Sequence, residues 1–387
     1  MTPGARVAAA IEILDMIGDG QPAEQVLTRW GRGNRFAGSK DRAAIRDYVF
    51  DVLRTRRSCA WLGRAATGRG LMIGLLRSEG IDPETLFTGE GHAPAPLADY
   101  EVALPEGKIP ASEAWNLPDW LRAQMIEGLG DQAETTARLL QARAPVTLRV
   151  NTAKTNASGA ILMLDEAGVT AKLNPLSVTA LTVVDGARRV RNAPAYQDGF
   201  VELQDAGSQA LVDALPRAAR VLDYCAGGGG KALAIAARGA NAVFAHDIDP
   251  ARMRDLPLRA ARADAEITQL AGGDLARSGP YDLVLVDAPC SGSGSWRRAP
   301  EAKWNLTPDH LDKITQIQDD ILDRSSKLVS VNGTLAYATC SVLPVENRAR
   351  IDAFLARHSD WQCIWEQTYP VSPQSDGFYT AHLTRKK

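Results

Sequence analysis

The 387-residue sequence predicts an α/β fold, in which a doubly wound sheet forms the C-terminal part. Three observations predict it. Near the N-terminus apolar residues recur at helical spacing, from Pro145 short β-like runs are broken by Gly, Asn and Pro, and from Ala206 apolar strands alternate with helical segments. We therefore expect four parts: a helical module over 1–77, a linker over 78–112, a small α+β domain over 113–205 and the α/β domain over 206–387.

The helical module rests on two sets of apolar residues with a spacing of three or four. They are Val7, Ile11, Leu14 and Ile17, then Ile45, Val49, Val52 and Leu53. The stretch that follows is rich in Pro and Gly, which indicates a linker or an irregular hairpin. The small domain begins with a helical pattern and continues with the runs VTLRV, ALTVV and FVELQ, which predict strands.

The α/β domain rests on near-continuous apolar runs bounded by Gly and Pro. In order they are RVLDYC, NAVFAHD, EITQLA, YDLVLVDA, GTLAYATC, WQCIWE and FYTAHLTR. Such runs are typical of strands buried on both faces, and the helices between them require parallel, right-handed crossovers. In a doubly wound sheet of this kind, ligands bind beyond the carboxyl ends of the strands.

Composition excludes several classes of protein. The net charge is −2 and the pI is near 6.3, so any nucleic-acid contact must come from a local basic patch. No apolar stretch reaches the roughly 18 residues of a membrane helix, and the N-terminus lacks a signal-peptide pattern. The five cysteines have no metal-binding spacing, and the five histidines are scattered, which argues against zinc and hydrolase chemistry. We expect a soluble cytoplasmic protein with no metal and no membrane partner.

A glycine loop, DYCAGGGGK, follows the first strand of the α/β domain. Glycines allow a tight turn close to a ligand, and the following helix N-terminus favours electron-rich groups. Asp247 ends the second strand, 20 residues after Gly227, at the separation where an acid reaches ribose hydroxyls. A phosphate-binding loop is excluded because it would need Gly at Cys225 and Ser or Thr at Ala232. The loop predicts a nucleoside-cofactor site and leaves a dinucleotide enzyme open.

Two cysteines, Cys290 and Cys340, each follow a predicted strand directly. If these strands are neighbours, about 5 Å apart, both thiols reach the same region of a substrate. A lone cysteine after a strand is usually a small core residue, but two at equivalent strand ends favour thiol chemistry. Because a free thiol has a pKa of about 8.5, a nearby cation must help to form the thiolate. The candidate cations are Lys231, Lys303, Arg297 and Arg298.

These motifs together resemble a known family. The strings CAGGGGK, HDIDPARM, GGD, VDAPCSGSG, RRAPEAKW and YATCS, in that order, are similar to the motifs of the S-adenosylmethionine-dependent RNA (cytosine-5) methyltransferases, particularly the bacterial small-subunit rRNA methyltransferase B type. The resemblance is strong over 200–387, fair over 113–205 and weaker over 1–75. There the string SKDRAAIRDYVFDVLR is similar to a NusB-like RNA-binding domain. It implies a Rossmann-like methyltransferase domain.

The resemblance also implies the roles of the site residues. Cys340 is the nucleophile and Cys290 assists release, while Asp287 hydrogen-bonds the ring of the base and Lys231 orients the base or stabilises the thiolate. The expected cofactor is S-adenosyl-L-methionine. The residues expected to surround it are Cys225, Ala226, Gly227, Gly228, Gly229, Gly230, Lys231, Asp247, Asp274 and Asp287. The chain departs from the family at Gly228, where Pro is usual, and at Ala232, where Thr is usual, so we expect weaker cofactor binding.

The expected partner is RNA, most specifically ribosomal RNA, and we expect a monomer. Residues 29–57 contain nine Arg or Lys and three Asp, and within them Arg29, Arg32 and Arg35 are the predicted RNA contacts, together with Lys303. A helix face solvated by salt bridges is the alternative for this patch. Three other functions stay open: a tRNA cytosine-5 methyltransferase, a nicotinamide-dependent oxidoreductase and a non-catalytic RNA-binding assembly factor. The oxidoreductase does not explain two thiols at strand ends.

Overall fold

The structure, a computed structural model, describes residues 1–386 and divides the chain into two compact units. The first unit comprises Met1–Arg143 together with Trp296–Asn305, which we call the inserted segment. The second unit comprises Ala144–Ser295 and the chain from Leu306 onward. The predicted division into four parts stays a prediction.

The first unit is helical. Its helices are α1 (Pro3–Gly18), α2 (Ala23–Gly33), α3 (Ser39–Arg54), α4 (Arg56–Gly63), α5 (Gly68–Ser78), α6 (Asp99–Val102), α7 (Ala111–Ala114), α8 (Asp119–Leu129) and α9 (Gln132–Leu139). The apolar residues that predicted the module line its core, among them Val7, Ile45 and Val49, each with no exposed surface. Helices α4 and α5 pack closely because Gly74 has no side chain. A Cβ there would lie 1.9 Å from the Cys59 carbonyl oxygen.

The segment predicted as a linker contains a 3-10 turn, Pro83–Thr85, and helix α6. Arg69 of α5 holds it, donating to the carboxylate of Glu101 at 2.7 and 2.8 Å and to the backbone carbonyls of Ala95 and Pro96. The Arg69 guanidinium holds the pKa of Glu101 below its usual value. Arg77 of α5 also donates to the Glu101 and Val102 carbonyls, so two arginines hold this segment against the helical core.

The inserted segment ends in helix α16 (Ala302–Asn305) and belongs to the helical unit although it comes from the middle of the chain. The Lys303 ammonium donates to the Arg54 carbonyl at 2.8 Å, and the Trp304 indole donates to the Leu53 carbonyl at 2.7 Å. The Arg54 guanidinium in turn donates to the Arg297 carbonyl at 2.8 Å. The bonds from Lys303 and Trp304 satisfy carbonyls at the end of α3 that have no partner within the helix.

The second unit begins with a four-stranded antiparallel sheet. Its strands are β1 (Thr147–Val150), β2 (Thr170–Leu173), β3 (Ala180–Asp185) and β4 (Val201–Leu203), in the order β2-β3-β1-β4. Helices α10 (Ala157–Glu166) and α11 (Pro194–Gln197) connect them. The sequence predicted β1, β3 and β4 but not β2, because β2 exposes three of its four residues and carries one buried residue, Ala171.

A seven-stranded sheet follows, in the order β10-β11-β9-β8-β5-β6-β7. Its strands are β5 (Arg220–Asp223), β6 (Ala242–Ala245), β7 (Ile267–Gln269), β8 (Tyr281–Asp287), β9 (Val329–Thr339), β10 (Trp361–Tyr369) and β11 (Phe378–Arg385). The helices of this part are α12 (Ala206–Ala214), α13 (Gly230–Ala237), α14 (Leu256–Arg262), α15 (Leu275–Ser278), α17 (Pro308–Ser325) and α18 (Arg348–Arg357). All seven predicted runs form strands.

The α/β fold class is confirmed, with one difference in strand direction. Five neighbouring strands, in the order β9-β8-β5-β6-β7, run parallel to one another. Strand β11 runs antiparallel to β9, and β10 runs antiparallel to β11. A hairpin connects β10 to β11, so no helical crossover forces this pair to be parallel. The order reverses at β5, whose neighbours are β6 and β8, and this switch point positions the site.

Candidate active site

The glycine loop connects β5 to α13 at the carboxyl edge of the large sheet. Gly229 has a φ of +77°, and a Cβ there would lie 2.3 Å from a methyl carbon of Leu256, so this position requires glycine. The loop amide of Gly227 donates to Asp247 at 2.9 Å. The sequence folds this way because the turn brings backbone amides, and no side chains, to the end of the strand.

Asp247 is 2% exposed, and its carboxylate is already engaged by the protein. One oxygen accepts from the Gly227 amide and lies 3.3 Å from the Arg252 guanidinium, and the other accepts from the Asp249 amide at 3.0 Å. Asp247 thus fixes the glycine loop to the end of β6. The spacing between the glycine loop and Asp247 in the sequence did not predict this contact.

The two predicted cysteines meet. Strands β8 and β9 are parallel neighbours, with Asp287 opposite Ala338, and Cys290 and Cys340 lie directly beyond their ends. The two sulfur atoms are 3.4 Å apart, and both residues are free thiols. A hydrogen bond between them therefore joins the ends of two strands that are 50 residues apart in the chain.

Hydrogen bonding makes the two thiols unequal. The bond from Cys290 lowers the pKa of the Cys340 thiol despite burial, and Lys231 lowers it further. The same bond, together with burial, raises the pKa of the Cys290 thiol well above its usual value. Cys340 is thus the thiol more readily ionised, and Cys290 the donor.

Lys231 and Asp287 form an ion pair beside the thiols, with Nζ and Oδ2 2.6 Å apart. Burial would lower the pKa of Lys231, but the charges of Asp287 and Asp223 outweigh it and raise that pKa. The lysine therefore keeps its charge near Cys340. Asp223, at the end of β5, has no exposed surface, and burial raises its pKa to about 7.

A cavity of about 530 Å³ opens between the glycine loop and the cysteines. Its lining comprises Gln204, Ser208, Cys225, Ala226, Gly227, Gly228, Gly230, Lys231, Arg252, Arg259, Asp287, Ala288, Pro289, Cys290 and Cys340. The volume lies in the range of pockets that hold small molecules and cofactors. Amide donors, a crowded glycine turn and flanking carboxylates fit a nucleoside cofactor, with the thiols at one end.

Most of the predicted cofactor residues line this cavity, and three do not. Gly229 supports the turn, Asp247 binds the loop amides, and Asp274 is partly exposed and pairs with Arg277 at 3.3 Å. Of the four candidate cations, Lys231 alone lines the cavity. The others lie in the inserted segment of the first unit.

The predicted RNA residues fall into two groups. Arg29, Arg32 and Arg35 are exposed in or just after α2. Lys303 is 1% exposed and donates to the Arg54 carbonyl, so the prediction that it contacts RNA needs correction: burial withholds its ammonium from a phosphate. Burial also lowers the pKa of Lys303 to about 7. Its role in this structure is to hold the inserted segment.

Sequence reasoning missed four polar residues of the lining: Gln204 as a cavity residue, Ser208, Arg252 and Arg259. Arg259 donates to the Gly228 carbonyl, and Arg149 of β1 donates to the Gly230 carbonyl at 2.7 Å. Two arginines thus hold the backbone of the loop. Arg252 stands in the HDIDPARM string, which was a signal available from the sequence.

Within residues 1–386, no group of three or more His, Cys, Asp or Glu side chains could hold a metal ion. The described helices include none with the length and apolarity needed to cross a membrane.

The sheet order, the switch-point cavity and the paired thiols define a Rossmann-like enzyme that combines a nucleoside cofactor with cysteine chemistry. Comparison with known proteins agrees. The sequence model of the family described as 16S rRNA methyltransferase RsmB/F matches residues 211–384, and that of the RsmF/B-like methyltransferase ferredoxin-like domain matches residues 117–190.

Two relatives match along nearly their full length. Ribosomal RNA small subunit methyltransferase B of Xanthomonas campestris pv. campestris is 30% identical, covering 98% of this chain and 97% of the relative. The protein of the same name from Yersinia pseudotuberculosis is 27% identical, covering 100% and 99%. The chain belongs to the RsmB/F family of 16S rRNA methyltransferases. It is an RNA methyltransferase, with S-adenosylmethionine as its cofactor.

Solved structures agree on the fold. The crystal structure of PH0851 has a TM-score of 0.76 at 22% identity and covers 100% of this chain and 99% of that chain. A methyltransferase homolog from Pyrococcus horikoshii has a TM-score of 0.61 at 22% identity and covers 70% and 96%.

Proposed function

We propose that this enzyme transfers a methyl group from S-adenosylmethionine to carbon 5 of a cytosine in small-subunit ribosomal RNA, through a covalent bond between Cys340 and carbon 6 of the base. The observation that carries the proposal is the contact of 3.4 Å between Cys340 and Cys290, beside the Lys231–Asp287 pair and in the cavity of the glycine loop. The choice of RNA rests on the names of the full-length relatives.

The cofactor would be held by the glycine loop and the α13 N-terminus, with Asp247 fixing the loop and Cys225 to Lys231 supplying the near wall. When bound, S-adenosylmethionine supplies an electrophilic methyl group on a sulfonium. Asp274, which follows β7, stays a predicted cofactor residue. Arg259 and Arg149 hold the backbone of the loop, which supports a turn lacking the usual Pro at Gly228.

Cys340 performs the first step. Carbon 5 of cytosine is a poor nucleophile, but addition of a thiolate to carbon 6 converts the ring into an enamine that is nucleophilic at carbon 5. The Cys290 hydrogen bond and the Lys231 charge favour the Cys340 thiolate. Negative charge then develops at ring nitrogen 3, which needs a hydrogen-bond donor; Asp287 would provide that hydrogen bond in its protonated form, beside Lys231 at 2.6 Å.

Cys290 serves the second half of the reaction. After methyl transfer, carbon 5 gives its proton to water in the cavity, and the electron pair of that C–H bond forms the double bond between carbons 5 and 6 as the bond from carbon 6 to Cys340 breaks. Cys290 lies against the departing sulfur and is held as a thiol, so it can donate a hydrogen bond to the Cys340 thiolate as that thiolate leaves.

Replacing Cys340 tests the assignment. Cys340→Ala should reduce methyl transfer to background, while calorimetry finds S-adenosylmethionine affinity within about twofold, because the thiol attacks the base. The substrate is RNA from a strain lacking the enzyme, and bisulfite mapping of ribosomal and transfer RNA identifies the cytosine. Methyl transfer by Cys340→Ala would contradict the assignment of Cys340 as the nucleophile. Methylation of tRNA in place of rRNA would contradict the proposed substrate.

Three further properties complete the proposal. The helical unit binds the RNA that flanks the target base. Binding of the flanking RNA is needed because the base must leave its stack to enter the cavity. The enzyme acts in the cytoplasm, where the two free thiols stay reduced. It works as a monomer, with all the proposed catalytic side chains on one chain.

A further inference from the structure

Glu346 is a buried carboxylate with an unusual set of partners. It ends a 3-10 turn, Pro344–Glu346, a few residues beyond Cys340, and has no exposed surface. Among residues 1–386 it forms no ion pair within 4 Å. Burying a charge without a counterion is costly, and hydrogen bonds to both oxygens must offset the cost. A neutral side chain would fill the same space more cheaply, so the charge calls for an explanation.

The hydrogen bonds come from the two loops that carry the cysteines. One Glu346 oxygen accepts from the Ser291 amide at 2.7 Å, and the other accepts from the Ser291 and Ser341 hydroxyls, each at 2.5 Å. Ser291 directly follows Cys290, and Ser341 directly follows Cys340. A fourth hydrogen bond comes from the Gln318 amide of α17 at 3.3 Å. One carboxylate therefore binds the residue next to each thiol.

Other bonds between the same loops point the same way. The Gly294 amide donates to the Cys340 carbonyl at 2.9 Å, and the Ser293 and Ser341 hydroxyls are 2.8 Å apart. These neutral bonds hold the two loops together. Glu346 adds a negative charge to this contact region. Its effect on the thiols is therefore electrostatic as well as geometric.

The charge acts differently on the two cysteines. After the Cys340 hydrogen bond, burial and the Cys340 charge, Glu346 is a further cause that raises the pKa of Cys290. On the Cys340 side the facing charges are Asp287, which raises the pKa of that thiol, and Lys231, which lowers it. Tyr337, Arg350 and Asp319 are further charged or titratable groups near Glu346, and burial raises the pKa of Tyr337 well above its usual value. Glu346 thus penalises a thiolate at Cys290.

We propose that Glu346 is a positioning residue that holds the Cys290 and Cys340 loops in contact and keeps Cys290 as the protonated partner of the pair. This inference rests on the proposed function, in which Cys340 attacks the base. Glu346 does not line the cavity and acts through Ser291 and Ser341.

The test compares Glu346→Gln, which keeps the shape but removes the charge, with Glu366→Gln in β10 as the matched control. Glu346→Gln should lower kcat by about 10- to 100-fold, the range for a lost charged hydrogen bond, with KM for S-adenosylmethionine and RNA within about twofold. Glu366→Gln should keep the wild-type kcat. Glu346→Asp, which keeps the charge, should recover part of the loss.

A second measurement separates positioning from simple destabilisation. The two thiols are alkylated with iodoacetamide over a range of pH, and mass spectrometry identifies the labelled cysteine. In the wild type, Cys340 should be labelled before Cys290. This preference should shrink in Glu346→Gln, because Cys290 ionises more readily there. A purely structural role would lower the melting temperature and leave this preference unchanged. If Glu346→Gln fails to fold, Ser291→Ala and Ser341→Ala each remove one bond and should each lower kcat.

The outcomes keep the two proposals apart. Turnover by Cys340→Ala would overturn the proposed function. A different result would contradict the role of Glu346 and leave the proposed function standing. In that case Cys340→Ala is inactive, while Glu346→Gln, or both serine variants, keep the wild-type kcat and the wild-type labelling.

Discussion

The two cysteines are chemically identical, and their surroundings alone assign them different tasks. Cys290→Ala should allow attack by Cys340 but stall release, so that a protein–RNA adduct survives denaturing gel electrophoresis. The variant also loses the hydrogen bond that lowers the pKa of Cys340. That pKa should rise, so adduct formation should need a higher pH than wild-type turnover does. Gels run over a pH series measure both effects, and absence of any adduct would exclude the release role.

Asp247 is also decided by its partners. Asp247→Ala should raise the cofactor dissociation constant by about tenfold or more. The Asp247 carboxylate holds the Gly227 amide of the cofactor loop, and a charge-assisted hydrogen bond of this kind contributes ~1.5–3 kcal/mol. Calorimetry with S-adenosylhomocysteine measures the affinity, and Asp255→Ala is a matched control on the exposed surface nearby. Unchanged affinity in Asp247→Ala would contradict the assignment.

At the scale of elements, the inserted segment offers a test through Lys303. Its pKa is about 7 in the folded protein, against an ordinary lysine value of 10.5, so between these values the unfolded chain binds a proton that the folded protein lacks. Raising the pH through this window therefore favours folding, by up to about 1.4 kcal/mol per pH unit. Below pH 7 the contribution is constant.

Lys303→Met should remove this dependence. The melting temperature of the wild type, measured relative to that of Lys303→Met, should rise between pH 7.5 and 9.5 by several degrees, since 1 kcal/mol corresponds to roughly 2–4 °C. Using the difference between the two proteins cancels the other groups that titrate in this range. A constant difference would mean that Lys303 is not desolvated.

The elements of the large sheet were predictable because apolar runs and helical crossovers are local signals. Strand β2 was not, because an exposed edge strand carries little apolar pattern. The inserted segment was not, because RRAPEAKW has the composition of a surface loop and its packing depends on Leu53 and Arg54, some 250 residues earlier in the chain. Glu346 was not identified from the sequence either, because its partner Ser291 lies 55 residues earlier in the chain. Cys290, Cys340 and the glycine loop were found because strand ends are readable from sequence.

At the scale of the whole molecule, a chain of net charge −2 must bind a polyanion through a local surface. Of the nine basic residues in 29–57, Arg46, Arg54 and Arg57 are used in ion pairs within the helical unit. Within residues 1–386, the side chains of Arg32 and Arg35 form no hydrogen bond or ion pair, and the Arg29 side chain bonds only Gln21. The predicted RNA patch is therefore smaller than the sequence suggested.

Replacing Arg29, Arg32 and Arg35 with Ala should weaken RNA binding and reduce the slope of log affinity against log salt by up to about 2, because each phosphate contact to single-stranded RNA adds ~0.7. Cofactor affinity should not change. A variant that removes the exposed Arg138, Arg217 and Arg277 has the same net charge and should keep the wild-type slope. Equal slopes in both variants would show that this face does not touch RNA.

The path of the chain through the inserted segment limits how this protein could have been assembled in evolution. The helical unit is not a detachable N-terminal module, because ten of its residues, Trp296–Asn305, are encoded between the two cysteines. A gene fragment starting at Ala144 would produce Lys303 and Trp304 without the carbonyls of Leu53 and Arg54 that bind them. Gain or loss of the helical unit by gene fusion would thus have required a matching change in the loop between Cys290 and α17.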